Sequence, residues 1–224
     1  MTGPVELAYP FTGRWLVDNS PADRVPSHGT HLFATTHAID FVPVDARGRS
    51  APLRLRSLVR PEAPTTFVGF GRAILAPVAG VVVAAHDGDD DHHAYRGLPS
   101  VGYALTQHRR AAGGWCALAG NHVVIESAPG VLVALAHLRR GSVTVRRGQR
   151  VVVGEPLGEC GNSGNSTEPH VHVQAMRAAA EHGQLDVGRA TALPLSLPGG
   201  LPRNGAIVDA PAPTPGHAQA DRTE

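Results

Sequence analysis

The sequence predicts an all-β fold: a two-layer antiparallel sheet or part-open barrel-sandwich with a groove, long loop insertions and little helix. Short apolar segments recur at close spacing along the chain, and 26 glycines and 19 prolines supply turns between them. Apolar residues make up 42% of the composition, which is enough for a packed core. Many short strands separated by Gly and Pro turns are typical of sandwiches and partly open barrels.

The first clear strand is predicted at residues 37–42 and ends before Pro43. Because side chains alternate along a strand, Ile39 and Phe41 point to one side and Asp40 to the other. A carboxylate in an apolar strand is costly to bury unless it binds a cation or hydrogen-bond donors. Asp40 is therefore either a ligand or a solvent-facing residue on a half-exposed strand.

The remaining strands follow in the second half of the chain. Two short strands are predicted in 73–85, a hairpin in 121–138 and Gly-separated strands in 141–161. The last strand, 168–176, places His170, His172 and Gln174 on one face and Val171 and Val173 on the other. Only residues 176–183, MRAAAEHG, suggest a helical turn or two.

Composition divides the chain into three parts. Residues 1–26 are predicted to be an N-terminal extension, residues 27–200 the main domain, and residues 201–224 a Pro/Ala-rich, disordered tail. Within the main domain, residues 45–70 and 87–115 lack a clear period and are predicted to be insertions.

The overall composition excludes several classes of protein. A formal net charge of +1 argues against a nucleic-acid-binding protein, and 4% aromatic residues argue against a stacking platform for bases or sugars. No stretch approaches the ~20 apolar residues of a membrane span, and no secretory signal is recognisable at the start. The two cysteines, Cys116 and Cys160, are too few for a disulfide-built scaffold, and their redox state stays open.

The pair His170 and His172 is the strongest local feature. On a strand, residues i and i+2 lie on the same side with Cβ atoms roughly 6–7 Å apart. One imidazole would bind a metal while the other leans over an open coordination position. The alternative is a strand edge with two solvated histidines.

Further polar residues support a metal site. Asp40 lies shortly after His28, His31 and His37 in the chain. A carboxylate with nearby histidines and a remote His-x-His pair suits a His2Asp site with an open fourth position, which is the ligand count of a catalytic zinc. His137 ends an apolar strand, where it is either a catalyst or a satisfied residue at the rim of the core.

Four segments and the stretch HAIDF resemble the M23 family of zinc metallopeptidases, the lysostaphin or LytM-like group. The segments are ILAPVAGVVVAAHDG, GNHVVIESAPGVLVALAHL, VTVRRGQRVVVGEPLGECGNSG and NSTEPHVHVQ. Their order and spacing agree with the family pattern most closely from Gly120 onward. These anchor points extend over residues 28–176.

The resemblance implies roles for individual residues. His172 and Asp40 would be ligands of one zinc ion per chain, and His170 would be a catalytic histidine with His137 as its partner. The third ligand is His28 or, as a second choice, His31.

The sequence departs from the family pattern at several positions. Thr36 occupies the position four residues before Asp40 where relatives commonly have the third ligand. Glu168 replaces a Gly, Leu135 an aromatic residue and Gln174 the customary Glu. The two insertions would extend the walls of the groove. Together with the last three changes, they concern substrate fit more than metal chemistry.

The resemblance implies a zinc metalloendopeptidase that hydrolyses peptide cross-links of bacterial peptidoglycan. Zinc would activate a water molecule and polarise the scissile carbonyl, while His137 and His170 divide proton transfer and oxyanion stabilisation in an order that the sequence does not specify. One alternative is a non-catalytic groove that binds cell-wall peptide or a partner hydrolase. Another is a cytosolic hydrolase, since the family implies the cell envelope or secretion but no signal peptide is visible.

Overall fold

The computed structural model of the chain describes residues 3–106, 110, 112–181 and 184–211. Thirteen strands are found in this described part: β1 (Val5–Glu6), β2 (Gly13–Asp18), β3 (Ile39–Pro43), β4 (Ala73–Leu75), β5 (Gly80–His86), β6 (Asn121–Ala128), β7 (Val131–Leu138), β8 (Arg150–Val151), β9 (Pro156–Glu159), β10 (Val171–Glu181), β11 (Gln184–Leu193), β12 (Leu195–Ser196) and β13 (Ile207–Ala210). The same described residues form two short α-helices, α1 (Leu98–Leu105) and α2 (Gly114–Ala119). Residues Leu32–His37, Leu55–Leu58 and Pro64–Thr66 form 3-10 segments.

The largest sheet in the described part of the chain has nine strands and is antiparallel throughout. Its order is β13-β2-β3-β10-β7-β6-β5-β8, and β11 pairs with β10 beside this path. Two smaller sheets pair β1 with β12 and β4 with β9. The mostly-β, antiparallel architecture with little helix confirms the predicted fold class.

The central strands of this sheet pack one face against an apolar core and carry the polar residues of the predicted site on the other face. Val171 and Val173 of β10 pack into the main core with Leu135 of β7 and Ile125 of β6, all of them buried. His172 alternates with them and therefore points to the opposite face, as the strand period requires. A smaller apolar cluster supports that second face and includes Trp115 and Ala119 of α2 with Ala134, Ala136 and Met176.

The segment before residue 27 takes part in the main sheet. β2 lies between β3 and β13, and Phe11 and Trp15 are fully buried with ring centroids 4.2 Å apart. The boundary at residues 26 and 27 stays a prediction, but the extension contributes aromatic side chains to the core.

The disorder predicted for residues 201–224 is wrong for the part of this tail that the structure describes up to residue 210. Ile207–Ala210 form β13, which pairs antiparallel with β2, for example Val208 with Trp15. The strand itself is mostly apolar and buries Ala210, but the Pro/Ala-rich residues that follow it concealed it. Residues 212–224 lie outside the described residues.

The helical turn predicted for residues 176–183 is also wrong. β10 continues through this segment to Glu181, with Met176 opposite Leu132 of β7 and Ala192 of β11. Pairing with β7 as far as Arg177 and with β11 as far as Glu181 outweighs the helix propensity of the Ala-rich sequence. Residues 182 and 183 lie outside the described residues.

The two predicted insertions contact each other. Glu62 and Ala94 form an antiparallel bridge, and Arg96 donates to the buried Glu62 carboxylate at 2.7 Å. The second insertion also contains α1 and the first residues of α2, which its sequence pattern did not indicate. Among the described helices, none has the length and apolar character needed to cross a membrane.

Candidate metal centre

Three residues from separate segments form a compact group of possible metal ligands. One ligand atom from each of His28, Asp40 and His172 lies within 4.8 Å of the others. Asp40 and His172 are direct partners in the antiparallel β3–β10 pair, so their side chains project from the same face. The loop before β3 adds His28, whose Nε2 is 3.0 Å from Asp40 Oδ2.

His31 lies outside this group. Its Nδ1 is 3.1 Å from the hydroxyl of Thr36, and the residue is exposed. His37 belongs to the 3-10 segment before β3, so the strand that was predicted to include it begins two residues later. The geometry favours His28 over His31 as third ligand, and the choice stays a prediction until metal binding is measured.

Hydrogen bonds fix the imidazole of His172. Gln174 Nε2 donates to the carbonyl of Phe33 at 3.1 Å, so its Oε1 faces His172 Nε2 at 2.9 Å and accepts a hydrogen bond there. With its proton on Nε2, His172 presents Nδ1 to Asp40 Oδ1 at 2.8 Å. The hydrogen bond to Gln174 is the kind of contact, on the nitrogen that faces away from the metal, that orients a metal-binding histidine.

His28 is held in a similar way. Its Nδ1 lies 3.0 Å from the hydroxyl of Ser27, which in turn donates to the carbonyl of Thr35 at 3.2 Å. The Nε2 of His28 therefore faces Asp40. Two imidazole nitrogens and one carboxylate oxygen converge, and this donor set fits a zinc ion with an open coordination position.

The charges of the cluster favour an ionised carboxylate. Burial raises the pKa of Asp40, but the charges that His28 and His170 carry when protonated, and the hydrogen bonds that protonated His172 and His28 donate, outweigh it and hold the pKa well below its usual value. For His172, burial lowers the pKa, and the hydrogen bond and charge of Asp40 reverse that effect, so the pKa is raised. The carboxyl group of Asp40 is therefore ionised, and its negative charge favours the binding of a cation.

The two predicted catalytic histidines lie beside this cluster. The rings of His137 and His170 have centroids 4.7 Å apart, and His170 Nε2 is 3.8 Å from Asp40 Oδ1. His170 Nδ1 is 2.8 Å from the carbonyl of Glu168, and His137 Nδ1 is 2.9 Å from the carbonyl of Ser163. Since a carbonyl only accepts, both Nδ1 atoms carry the proton and both Nε2 atoms are left with a free lone pair.

A bulge in β7 positions His137. Asn121 pairs with Leu138 and Val123 with Leu135, so two residues of β7 oppose one residue of β6. His137 is one of the two, and its φ of 64° lies in the left-handed region. Bulges of this kind re-aim a side chain. Burial, and then the charges of His170 and His172, hold the pKa of His137 well below its usual value.

A groove of about 660 Å3 gives access to these residues. The second insertion contributes Tyr103, Arg110 and Trp115 to its wall, and the turn before β10 contributes Asn165 and Thr167. The prediction that insertion 87–115 extends the groove is thus consistent with the structure. Insertion 45–70 supplies none of the described lining residues.

Sequence reasoning missed Asn19. Its side-chain nitrogen donates to Asp40 Oδ2 at 2.8 Å, and its φ of 49° is left-handed. It follows β2, in the segment that was predicted to be an extension. An Asn in a turn-rich stretch gives no indication of a long-range contact.

The Gly-rich turn between β9 and β10 holds both predicted catalytic histidines through its polar groups. Ser166 is buried, and its hydroxyl lies 3.0 Å from His170 Nδ1. The same turn carries Ser163, the acceptor for His137. His92 from the acidic loop lies 3.0 Å from the carbonyl of Gly164, so this loop braces the turn. The sequence shows that these turn residues are polar, but not that they are buried.

Comparison with known proteins gives the family. The profile of Peptidase family M23 matches residues 65–184, more than half of the 224 residues, and this segment contains His137, His170 and His172. A curated relative, Peptidoglycan DD-endopeptidase ShyA of Vibrio cholerae, is 29% identical over 145 residues, which cover 61% of this chain and 27% of that protein. The chain therefore spans about a quarter of the length of this relative.

Solved structures with detectable similarity include two catalytic domains of bacterial proteins. The catalytic domain of lysostaphin from Staphylococcus simulans is 16% identical, with 85% of this chain and 83% of that chain covered and a TM-score of 0.38. The catalytic domain of the prophage-encoded M23 protein EnpA from Enterococcus faecalis is 20% identical, with 67% and 75% covered and a TM-score of 0.36. Similarity at this level says nothing about the site, and the profile match alone carries the assignment: the chain belongs to peptidase family M23.

Proposed function

We propose that the protein is a zinc-dependent metalloendopeptidase that hydrolyses peptide cross-links of bacterial peptidoglycan. The observation that carries the proposal is the juxtaposition in one groove of the His28–Asp40–His172 cluster and the His137–His170 pair. Membership of a peptidase family supports peptide hydrolysis. The relative named as a peptidoglycan endopeptidase supports the substrate.

His28, Asp40 and His172 would hold one zinc ion. Their three donor atoms converge, and the second nitrogen of each imidazole is occupied by Gln174 or Ser27. When bound, zinc supplies Lewis acidity that polarises a carbonyl and lowers the pKa of water. Since these three residues leave one position of a tetrahedral ion open, the site has the ligand count of a catalytic zinc.

His137 and His170 would move the protons. Each presents a free Nε2 lone pair, because its Nδ1–H is donated to a carbonyl. Either ring would therefore accept a proton from the attacking water and return it to the leaving amine. The other ring, when protonated at Nε2 as well, would donate to the developing oxyanion. The two carbonyls belong to the turn before β10, so this turn sets the orientation of both rings.

The test is digestion of purified peptidoglycan by the zinc-loaded full chain. We expect new free amino groups to appear with the wild-type protein and with His31→Ala, the matched control outside the cluster. His137→Ala should abolish their release while the protein still sediments with the insoluble substrate. A zinc-loaded wild-type protein that binds but releases no amino groups would overturn the proposal and support a non-catalytic, peptide-binding groove.

A further inference from the structure

Arg110 is a fixed cation in the wall of the groove. Its Nε donates to Asn165 Oδ1 at 2.6 Å, its Nη1 to the hydroxyl of Thr106 at 2.8 Å and its Nη2 to the carbonyl of Tyr103 at 2.6 Å. The guanidinium also lies over the ring of Tyr103, 3.6 Å from its centroid. These contacts hold the plane of the guanidinium in one orientation.

All four contacts of Arg110 are with neutral groups. Within the described residues Arg110 has no carboxylate partner, whereas Arg96, Arg139 and Arg203 each pair with one. Arg110 is also the only arginine among the described residues that line the groove. Its positive charge is therefore not neutralised by the fold around it.

The guanidinium retains hydrogen-bonding capacity. It has five N–H groups, and the three hydrogen bonds above use one on each nitrogen. One N–H remains on Nη1 and one on Nη2. Two N–H groups on a rigid, planar cation match the two oxygens of a carboxylate, and the ordering cost of the side chain has already been met.

We propose that Arg110 binds a carboxylate of the substrate peptide, so that the groove selects peptides with a free carboxylate over the corresponding amides. This inference rests on the proposed function, since it names the chemistry of the substrate of the same groove. Asp40, the acidic residue among the described lining residues, is engaged by His28 and His172 and does not compete for Arg110. Specificity would thus come from the second insertion, away from the proposed metal ligands.

The test is a ratio of affinities. Two fluorescently labelled stem peptides of peptidoglycan, one with a free glutamate carboxylate and one with the carboxamide, are titrated by anisotropy against the zinc-loaded full chain carrying His137→Ala, which prevents turnover. We expect the carboxylate form to bind about tenfold more tightly, as a charge-assisted pair in a partly desolvated groove does. Arg110→Gln in the same background should bring this ratio to about one.

Arg147→Gln is the matched control, since it removes one positive charge at an exposed position outside the groove. It should leave the tenfold ratio unchanged. If Arg110→Gln only loosened the insertion, the affinities for both peptides would fall by the same factor. A ratio that persists in Arg110→Gln, or that is already about one in the His137→Ala parent protein, overturns the inference.

The proposed function and this inference fail in different ways. A wild-type chain that cleaves no peptidoglycan but shows the Arg110-dependent ratio refutes the enzyme and leaves an acidic-peptide-binding groove. A wild-type chain that cleaves free and amidated peptidoglycan equally well refutes the role of Arg110 and leaves the enzyme.

Discussion

Replacing Gln174 should weaken zinc binding although Gln174 is not a proposed ligand. Its side chain is 1% exposed and accepts a hydrogen bond from His172 Nε2 at 2.9 Å. Gln174→Leu keeps a similar volume but removes that acceptor. His172 then has a buried N–H without a partner and loses the contact that sets its ring orientation and tautomer.

The expected magnitude follows from two estimates. An unpaired buried polar group costs about 1–3 kcal/mol. Loss of an outer hydrogen bond to a metal-binding histidine lowers metal affinity by about 10–100-fold, which corresponds to roughly 1.4–2.8 kcal/mol. Because both estimates describe the loss at His172 and overlap in size, we expect the zinc dissociation constant of Gln174→Leu to rise by about 10–100-fold.

The assay is competition for zinc with a chromophoric chelator. Gln149→Leu is the matched control, because Gln149 lies outside the groove and bonds to Glu155. Gln174→Glu is the informative second variant: its carboxylate still accepts from His172 but cannot donate to the carbonyl of Phe33. It should retain zinc affinity. A Gln174→Leu protein whose zinc affinity stays within twofold of the wild type would refute the reasoning.

Two further predictions concern groups outside the cluster. Cys116 is exposed, whereas Cys160 is buried and its burial raises the pKa of its thiol. A thiol reagent should therefore label one cysteine in the native protein and two in denaturant. Two rapidly labelled thiols in the native protein would contradict this prediction. Burial raises the pKa of Tyr103 to about 12, against an unfolded value near 10.0. The contribution of this pKa difference to the free energy of unfolding is therefore complete below pH 10 and is lost as the pH rises toward 12. In an ultraviolet titration Tyr103→Phe should remove the latest phenolate step, and loss of an earlier step instead would show that Tyr103 is accessible.

Alternation along the chain predicted the parts of the fold that depend on local pattern. Val171 and Val173 of β10 face the core and His172 faces away, as the strand period required. Asp40 stood out because a carboxylate interrupts an apolar strand. The register that sets Asp40 opposite His172 depends on long-range pairing between β3 and β10, which no local pattern encodes.

The contacts that complete the site were not predictable for the same reason. Asn19 reaches Asp40 across 21 positions in the chain, and Arg110 reaches Asn165 across 55. The error at residues 176–183 has a related origin, since pairing with β7 and β11 overrides an Ala-rich sequence. Sequence pattern thus identified residue types and strand faces, while packing determined their partners.

The most direct test of the proposed metal centre is the zinc content per molecule of the 224-residue chain, measured after zinc loading and removal of free metal. We expect one zinc ion in the wild type and in His31→Ala, and none retained by His28→Ala, Asp40→Ala or His172→Ala. Circular dichroism of each variant checks that the sheet is intact. A wild-type chain that retains no zinc even when it is supplied in excess, or a His28→Ala chain that retains a full equivalent while His31→Ala loses it, would contradict the His28–Asp40–His172 site.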